Sequence, residues 1–200
     1  METNKYLYLT LLLLINVSSA LIAQTNSVQS EVQTLLEVRD QQIKKLLGPE
    51  GSDYSDQQRS QLKDIVNGII DFDAMAKTAL EITYDTISVA IRDEFVQLFS
   101  SIIRDQSLAN LDIYRAVIDY ESISGTYDST YVQTIAEWDN IRTPVNYIMT
   151  KQSGDWKITD MSIDDVFTAE SYNRQFQRII ASRGFGYLME TLRRRAERNS

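Results

Sequence analysis

The apolar period of the chain changes near Ala116, and that change restricts the fold sharply. The stretches Ala116 to Ser124, Tyr131 to Trp138, Thr143 to Gln152 and Asp155 to Ile163 are rich in Val, Ile, Thr, Tyr and Trp. Short turns at Gly125, Asp128, Asp139-Asn140 and Ser153-Gly154 separate them. Connections this short leave no room for a crossover, so the four stretches predict an antiparallel meander.

Helical spacing precedes and follows the meander. From Ser30 to Leu47, the residues Val32, Leu35, Leu36, Val38, Ile43, Leu46 and Leu47 fall mostly at three- and four-residue steps, and Gly48-Pro49-Glu50-Gly51 ends the run. Ser55 and Gln58 form a capping-box pair ahead of Leu62, Ile65, Val66, Ile69 and Ile70. Asp71 can cap a third helix carrying Phe72, Met75, Ala76, Ala79 and Leu80 on one side. The longest helix is predicted to start at Ser88 and to run through Ile91, Phe95, Leu98, Phe99, Ile102, Ile103, Leu111 and Tyr114. After the meander, helical spacing resumes over Thr168 to Ser182 and Phe185 to Arg195, with Gly184 as the break. Helices grouped before and after a sheet describe an α+β domain, with helices on one face of a four-stranded antiparallel sheet. A length of 200 residues suits one core, so the single domain is placed over 24–192. Arg193-Arg194-Arg195 and Arg198 mark 193–200 as a basic tail.

The first residues follow different rules. Lys5 precedes an apolar run from Tyr6 to Ile15, with small residues Ser18, Ser19, Ala20 and Ala23 behind it. A bilayer span needs about 20 apolar residues, so 1–23 is expected to be a cleaved secretory signal peptide, cut after Ala20 or Ala23. An exported chain without cysteine must rely on burial for stability. With no histidine either, most zinc, copper and haem sites, a catalytic triad and a Cys-His dyad are excluded. A formal charge of -8 argues against nucleic acid as a partner and against tight electrostatic adhesion to anionic lipid head groups.

Two groups of residues bear on an active-site reading. Asp119 and Glu121 share a strand face, and two-residue steps place Trp156, Ile158 and Asp160 together on another. Either Asp119 or Asp160 could act as a general base in an apolar pocket, as in a small exported α+β enzyme with a cone-shaped cavity. The structural alternative is that Asp160 orients a helix end or a neighbouring tyrosine. An extracytoplasmic adaptor that binds protein through its acidic surface, without a ligand, is a third class.

The segment Asp71-Phe72-Asp73-Ala74-Met75-Ala76-Lys77 with Leu80 is followed by Ser88, Arg92, Phe95, Phe99 and Tyr114, and then by Trp156, Asp160, Val166, Tyr172, Gln175, Phe176, Gly184 and Leu188. This series, over roughly Ile69 to Leu192, resembles the MlaC-like family of periplasmic phospholipid-binding proteins, also described as toluene-tolerance auxiliary transport components. Three positions depart from its pattern. Leu80-Glu81-Ile82-Thr83-Tyr84 stands where the family has Leu-Gly-x-x-Trp, Asp164-Asp165-Val166-Phe167 replaces Glu-Gly-Val-Ser, and Asn173 occupies the place of an arginine.

The resemblance implies an apolar cavity between sheet and helices that holds acyl chains, with the head group near solvent. Shielding about 30 methylenes from water at roughly 0.8 kcal/mol each is worth on the order of 20 kcal/mol, which calls for a deep slot. The implied lining is Met75, Leu80, Phe95, Phe99, Ile102, Ile103, Tyr120, Tyr147, Met149 and Met161, with Val166 and Phe176 from the closing block. Methionine suits such a wall because its unbranched thioether adapts to irregular chains. The implied function is a soluble, non-enzymatic carrier that shuttles phospholipid between the two membranes of a diderm cell and so maintains outer-membrane asymmetry. Its implied partners are an inner-membrane MCE-type ABC transporter complex and an outer-membrane lipoprotein assembly, with membrane contact through those partners. Phospholipid is then the cargo, and no cofactor is expected.

Overall fold

The computed structural model describes residues 27–109 and 111–199, and the segment read as a signal peptide lies outside them. Helix α1 covers 27–47 and buries Val32, Leu36 and Leu47. Helix α2, Asp56–Ile69, begins with the expected capping box: Ser55 Oγ accepts the Gln58 amide at 3.2 Å, and Gln58 Oε1 accepts the Ser55 amide at 2.9 Å. The same Gln58 donates to the Leu46 carbonyl at 2.8 Å, tying the start of α2 to the end of α1. Helix α3, Phe72–Leu80, starts where Asp71 Oδ1 accepts the Ala74 amide at 2.9 Å. A short helix α4, Ile82–Thr86, leads into α5, Val89–Ala109.

The long helix is shorter than its apolar spacing predicts. Leu111–Arg115 forms a separate 3-10 turn, so Tyr114 does not continue the face of Phe95 and Phe99. Arg115 holds this turn in place by donating to the carbonyls of Gly48, at 2.7 Å, and Pro49, at 3.0 Å, and to the Tyr54 hydroxyl at 2.9 Å.

Strands β1 (Val117–Gly125), β2 (Ser129–Trp138), β3 (Ile141–Gln152) and β4 (Asp155–Ile163) form the expected meander. A fifth strand, β5 (Val166–Phe167), extends it, giving an antiparallel sheet ordered β1-β2-β3-β4-β5 instead of four strands. Two residues carry no alternation, which is why the sequence does not announce β5. The turns β2–β3, β3–β4 and β4–β5 each hold two residues at positive φ: Asp139 and Asn140, Ser153 and Gly154, Asp164 and Asp165. Positive φ at both turn positions matches the twist of the flanking strands. At the β1–β2 turn a Cβ on Gly125 would lie 2.1 Å from the Ser129 carbonyl oxygen, so only glycine fits.

Two bulges re-aim side chains. Pairing skips Glu121 in β1 and Thr159 in β4. Beyond Thr159, Met161 stands opposite Tyr147 while Asp160 stands opposite Ile148. Asp160 therefore leaves the face occupied by Trp156 and Ile158, contrary to simple alternation. The N-terminal half of β4 has no partner strand beyond it, and the α2–α3 joint covers that edge: Ile70 makes a parallel bridge to Ile158, and the Asp71 amide donates to the Ile158 carbonyl at 2.9 Å.

Helix α6, Thr168–Arg183, packs on α3 and on β4, and α7, Phe185–Asn199, returns against α6 and α5. Residues 193–199, set apart in the sequence as a basic tail, continue α7. The main core gathers residues of α1, α2, α3, α5, α6, α7 and the sheet. A second, smaller core of Leu47, Leu62, Leu108 and Leu111 joins the ends of α1 and α5 to α2.

Candidate functional site

The sheet supplies one wall of the candidate site by register. Tyr120 of β1 stands opposite Thr134, Val132 opposite Tyr147, Tyr147 opposite Met161, and Met149 opposite Thr130 and Ile158. Cross-strand partners share a face, so Tyr120, Tyr147, Met149 and Met161 line one surface. Against it the helices bring Met75 and Leu80 from α3, Phe95, Phe99, Ile102 and Ile103 from α5, and Phe176 from α6, all in the same core. Eleven of the predicted lining residues pack in or against one core. Val166, on the edge strand β5, is 52% exposed and pairs with Ile163, which puts it on the sheet face of Met161.

Within this assembly the residues differ in how fully they are covered. Phe95 and Phe99 stack at 5.7 Å, and Phe176 meets them edge-on at 5.8 and 5.9 Å. Tyr172, four residues before Phe176 on the same helix face, packs on Phe99 at 5.1 Å and donates its hydroxyl to Gln106 at 2.8 Å. These rings fill one another's contacts and form a closed block between α5 and α6. On the sheet side Tyr120, Tyr147 and Met161 keep accessible surface while packing on the same core.

Tyr147 is half-buried and keeps accessible surface on the core-facing side of the sheet. Loss of solvation pushes its phenol up to about 12, helped by Tyr114 and Asp40 and opposed by a hydrogen bond with Thr134. Burial raises Tyr120 as well, reinforced by Tyr147, Glu37 and Asp40, and raises Tyr114. Three neutral phenols therefore stand where the main core meets the smaller one, each a polar tip on an apolar wall. Tyr114, absent from the predicted lining, packs against the smaller core.

The two candidate bases, Asp119 and Asp160, stand on different strands, β1 and β4. Asp160 is 6% exposed, and its Oδ1 accepts the amides of Ala169 at 2.9 Å and Met161 at 2.8 Å. Helix α6 has no capping side chain of its own at Phe167, so Asp160 caps it from the neighbouring strand. Burial pushes the Asp160 carboxyl up, while the amides of Ala169, Met161 and Glu170 pull it down. Asp119 is exposed. Among the described residues no cluster of carboxylates is arranged to hold a metal ion.

The three departures in the sequence have structural roles. Glu81, in the family's glycine position, has φ 52° and ψ -131°. Asn173 donates to the carbonyls of Thr78 at 3.2 Å and Ala79 at 3.3 Å, and Gln177 to that of Leu80 at 2.9 Å, so α6 satisfies the end of α3. Tyr84, in the tryptophan position, is buried with the Arg92 guanidinium 4.4 Å from its ring centre. Asp164 and Asp165 are the β4–β5 turn, and Asn146 reaches Asp165 at 3.4 Å.

A groove of about 300 Å³ opens elsewhere, lined by Ile70, Asp71, Phe72, Asp73, Val96, Gln97, Ser100, Gln152 and Lys157. It shares no residue with the predicted lining, and Gln152 bridges it by a hydrogen bond to Asp71. Among the described residues no helix is long and apolar enough to cross a membrane.

The sequence profile of the family described as MlaC protein matches residues 24–194. No curated protein sequence matches the chain. Among solved structures, the fold is similar to the phospholipid-binding protein from Ralstonia solanacearum in complex with a phospholipid. The TM-score is 0.72 at 20% identity, over 86% of this chain and 98% of that one.

Proposed function

The chain belongs to the MlaC family, and on that premise we propose that it is a non-enzymatic phospholipid carrier working in the periplasm. It takes up a phospholipid with the acyl chains against the sheet wall of Tyr120, Tyr147 and Met161 and the closed aromatic block behind them. No cofactor enters the process. The observation that carries the reading is the sheet wall of Tyr120, Tyr147 and Met161, which keeps accessible surface while packing on the core. The solved Ralstonia solanacearum protein of the same fold holds a phospholipid, which supports the same reading.

Physical cost explains why a carrier is needed. A diacyl lipid in water exposes apolar surface worth on the order of 20 kcal/mol, and a slot between sheet and helices replaces that contact. Exchange with an inner-membrane MCE-type ABC transporter complex and an outer-membrane lipoprotein assembly would then maintain outer-membrane asymmetry. A signal peptide at 1–23, cleaved on export, fits that compartment.

The test is mass spectrometry of organic extracts from protein purified without detergent, followed by transfer of labelled phospholipid from donor vesicles. Bound phospholipid and saturable uptake are expected. Protein that is repeatedly empty and takes up no lipid would remove the proposal and leave an adaptor as the better reading.

A further inference from the structure

Charge is divided unequally along this chain. Residues 168–199, the α6–α7 pair, hold seven arginines and three glutamates, a balance of +4, whereas 27–167 holds 12 basic and 24 acidic residues, a balance of -12. Glu170 and Glu190 each bind an arginine on their own helix, Arg174 at 2.7 Å and Arg194 at 3.3 Å. Among the described residues Arg178, Arg183, Arg195 and Arg198 have no carboxylate partner. Arg178 donates to the Arg174 carbonyl, and Arg183 lies on Tyr187. A formal charge of -8 for the whole molecule hides this cationic pair of helices.

From this segregation we infer that the α6–α7 face is a direct contact surface for a bilayer carrying anionic head groups. Charge complementarity selects the class of partner, since guanidinium groups match phosphate in geometry as well as sign. The polar character of the face selects a membrane over a protein. No large apolar residue of either helix is exposed, whereas protein interfaces centre on buried apolar or aromatic anchors. A plane of phosphates needs no such anchor.

The acidic remainder of the molecule favours this orientation, because its net charge of -12 is repelled by a negative surface. Attraction of a few arginines to an anionic leaflet makes the contact weak, reversible and sensitive to salt. This contact goes beyond lipid carriage and does not depend on a lipid inside the protein.

The test is flotation of the full folded chain with vesicles of phosphatidylglycerol and phosphatidylcholine, compared with phosphatidylcholine alone. Salt of about 0.01 M, where screening reaches roughly 30 Å, is compared with about 0.15 M, where it reaches roughly 8 Å. Preferential flotation with the anionic vesicles at low salt is expected. The triple variant Arg178→Glu, Arg195→Glu, Arg198→Glu should lower partition at least about tenfold. Glu170→Gln with Glu190→Gln should raise it by releasing two arginines, which keeps the test decisive if the triple variant fails to fold. Equal flotation with both vesicle types, or no response to either set of substitutions in folded protein, overturns the inference. So does binding to soluble poly-glutamate without vesicle binding, which would make an acidic protein the partner. Empty protein in the lipid extraction removes the carrier reading alone and leaves the flotation result standing.

Discussion

Asp160 and Ala169 are joined by a 2.9 Å bond from the Ala169 amide to Oδ1, so a strand carboxylate starts the helix that closes the candidate pocket. The bulge at Thr159 makes this possible by turning Asp160 off the face of Trp156 and Ile158. Replacing Asp160 with Ala should cost about 1 kcal/mol for the lost cap, seen as a lower midpoint in urea unfolding. Asp160→Asn keeps an acceptor and should lose less.

The same carboxyl has a pH signature. Burial, the largest influence, raises it from the ordinary value of 3.8. A raised folded value means the folded state holds the proton more tightly, so this group's contribution is fully present below 3.8 and is lost as pH rises through the raised value. Unfolding of wild type and Asp160→Asn, followed upward from pH 3.8, should differ in slope, with the variant flatter. Parallel curves would show that Asp160 titrates alike in both states.

Glu81 occupies a backbone conformation at φ 52° and ψ -131° that suits glycine. Glu81→Gly should stabilise the protein by about 1 kcal/mol, and Glu81→Ala should give no such gain, because alanine keeps the strained Cβ. Thermal unfolding of the two variants decides the point.

The closed block and the accessible wall should respond differently to substitution. Phe99→Ala removes a fully buried ring with three aromatic neighbours and should cost about 3 to 5 kcal/mol of stability. Met161→Trp adds volume where surface is still accessible. It should reduce the phospholipid that copurifies while moving the thermal midpoint by less than about 4 °C. A large loss of stability with unchanged lipid content would show that Met161 is ordinary packing.

Asn173 and Gln177 hold the end of α3 from α6, in place of residues on α3 itself. Removing both amides, Asn173→Ala with Gln177→Ala, leaves carbonyls unsatisfied and should cost about 2 kcal/mol, measured by chemical unfolding.

Much of this architecture was legible because it rests on local rules. The capping box at Ser55 and Gln58, the cap at Asp71 and the four strands with their short turns appear where residue chemistry places them. Apolar spacing also marked the residues of α3, α5 and the sheet that share one core. The departures arise where tertiary geometry overrides spacing. Apolar residues at Leu111 and Tyr114 extend a helical pattern, yet Arg115 binds the Gly48 and Pro49 carbonyls and the chain turns there. The Thr159 bulge has no signature in the alternation, so the side on which Asp160 lies is readable only from the pairing. Val166 belongs to the closing block by order, but the β4–β5 turn carries it to an exposed edge.

The Ile70–Ile158 bridge matters beyond the fold of a single molecule. An uncovered strand edge is a template on which a neighbouring chain can add its own strand, and such addition seeds aggregates. With Ile70 and Asp71 laid along β4, that half of the edge is already taken, and Lys157 adds a charge beside it. The joint between two helices thereby protects this half of the sheet edge from pairing with a second chain.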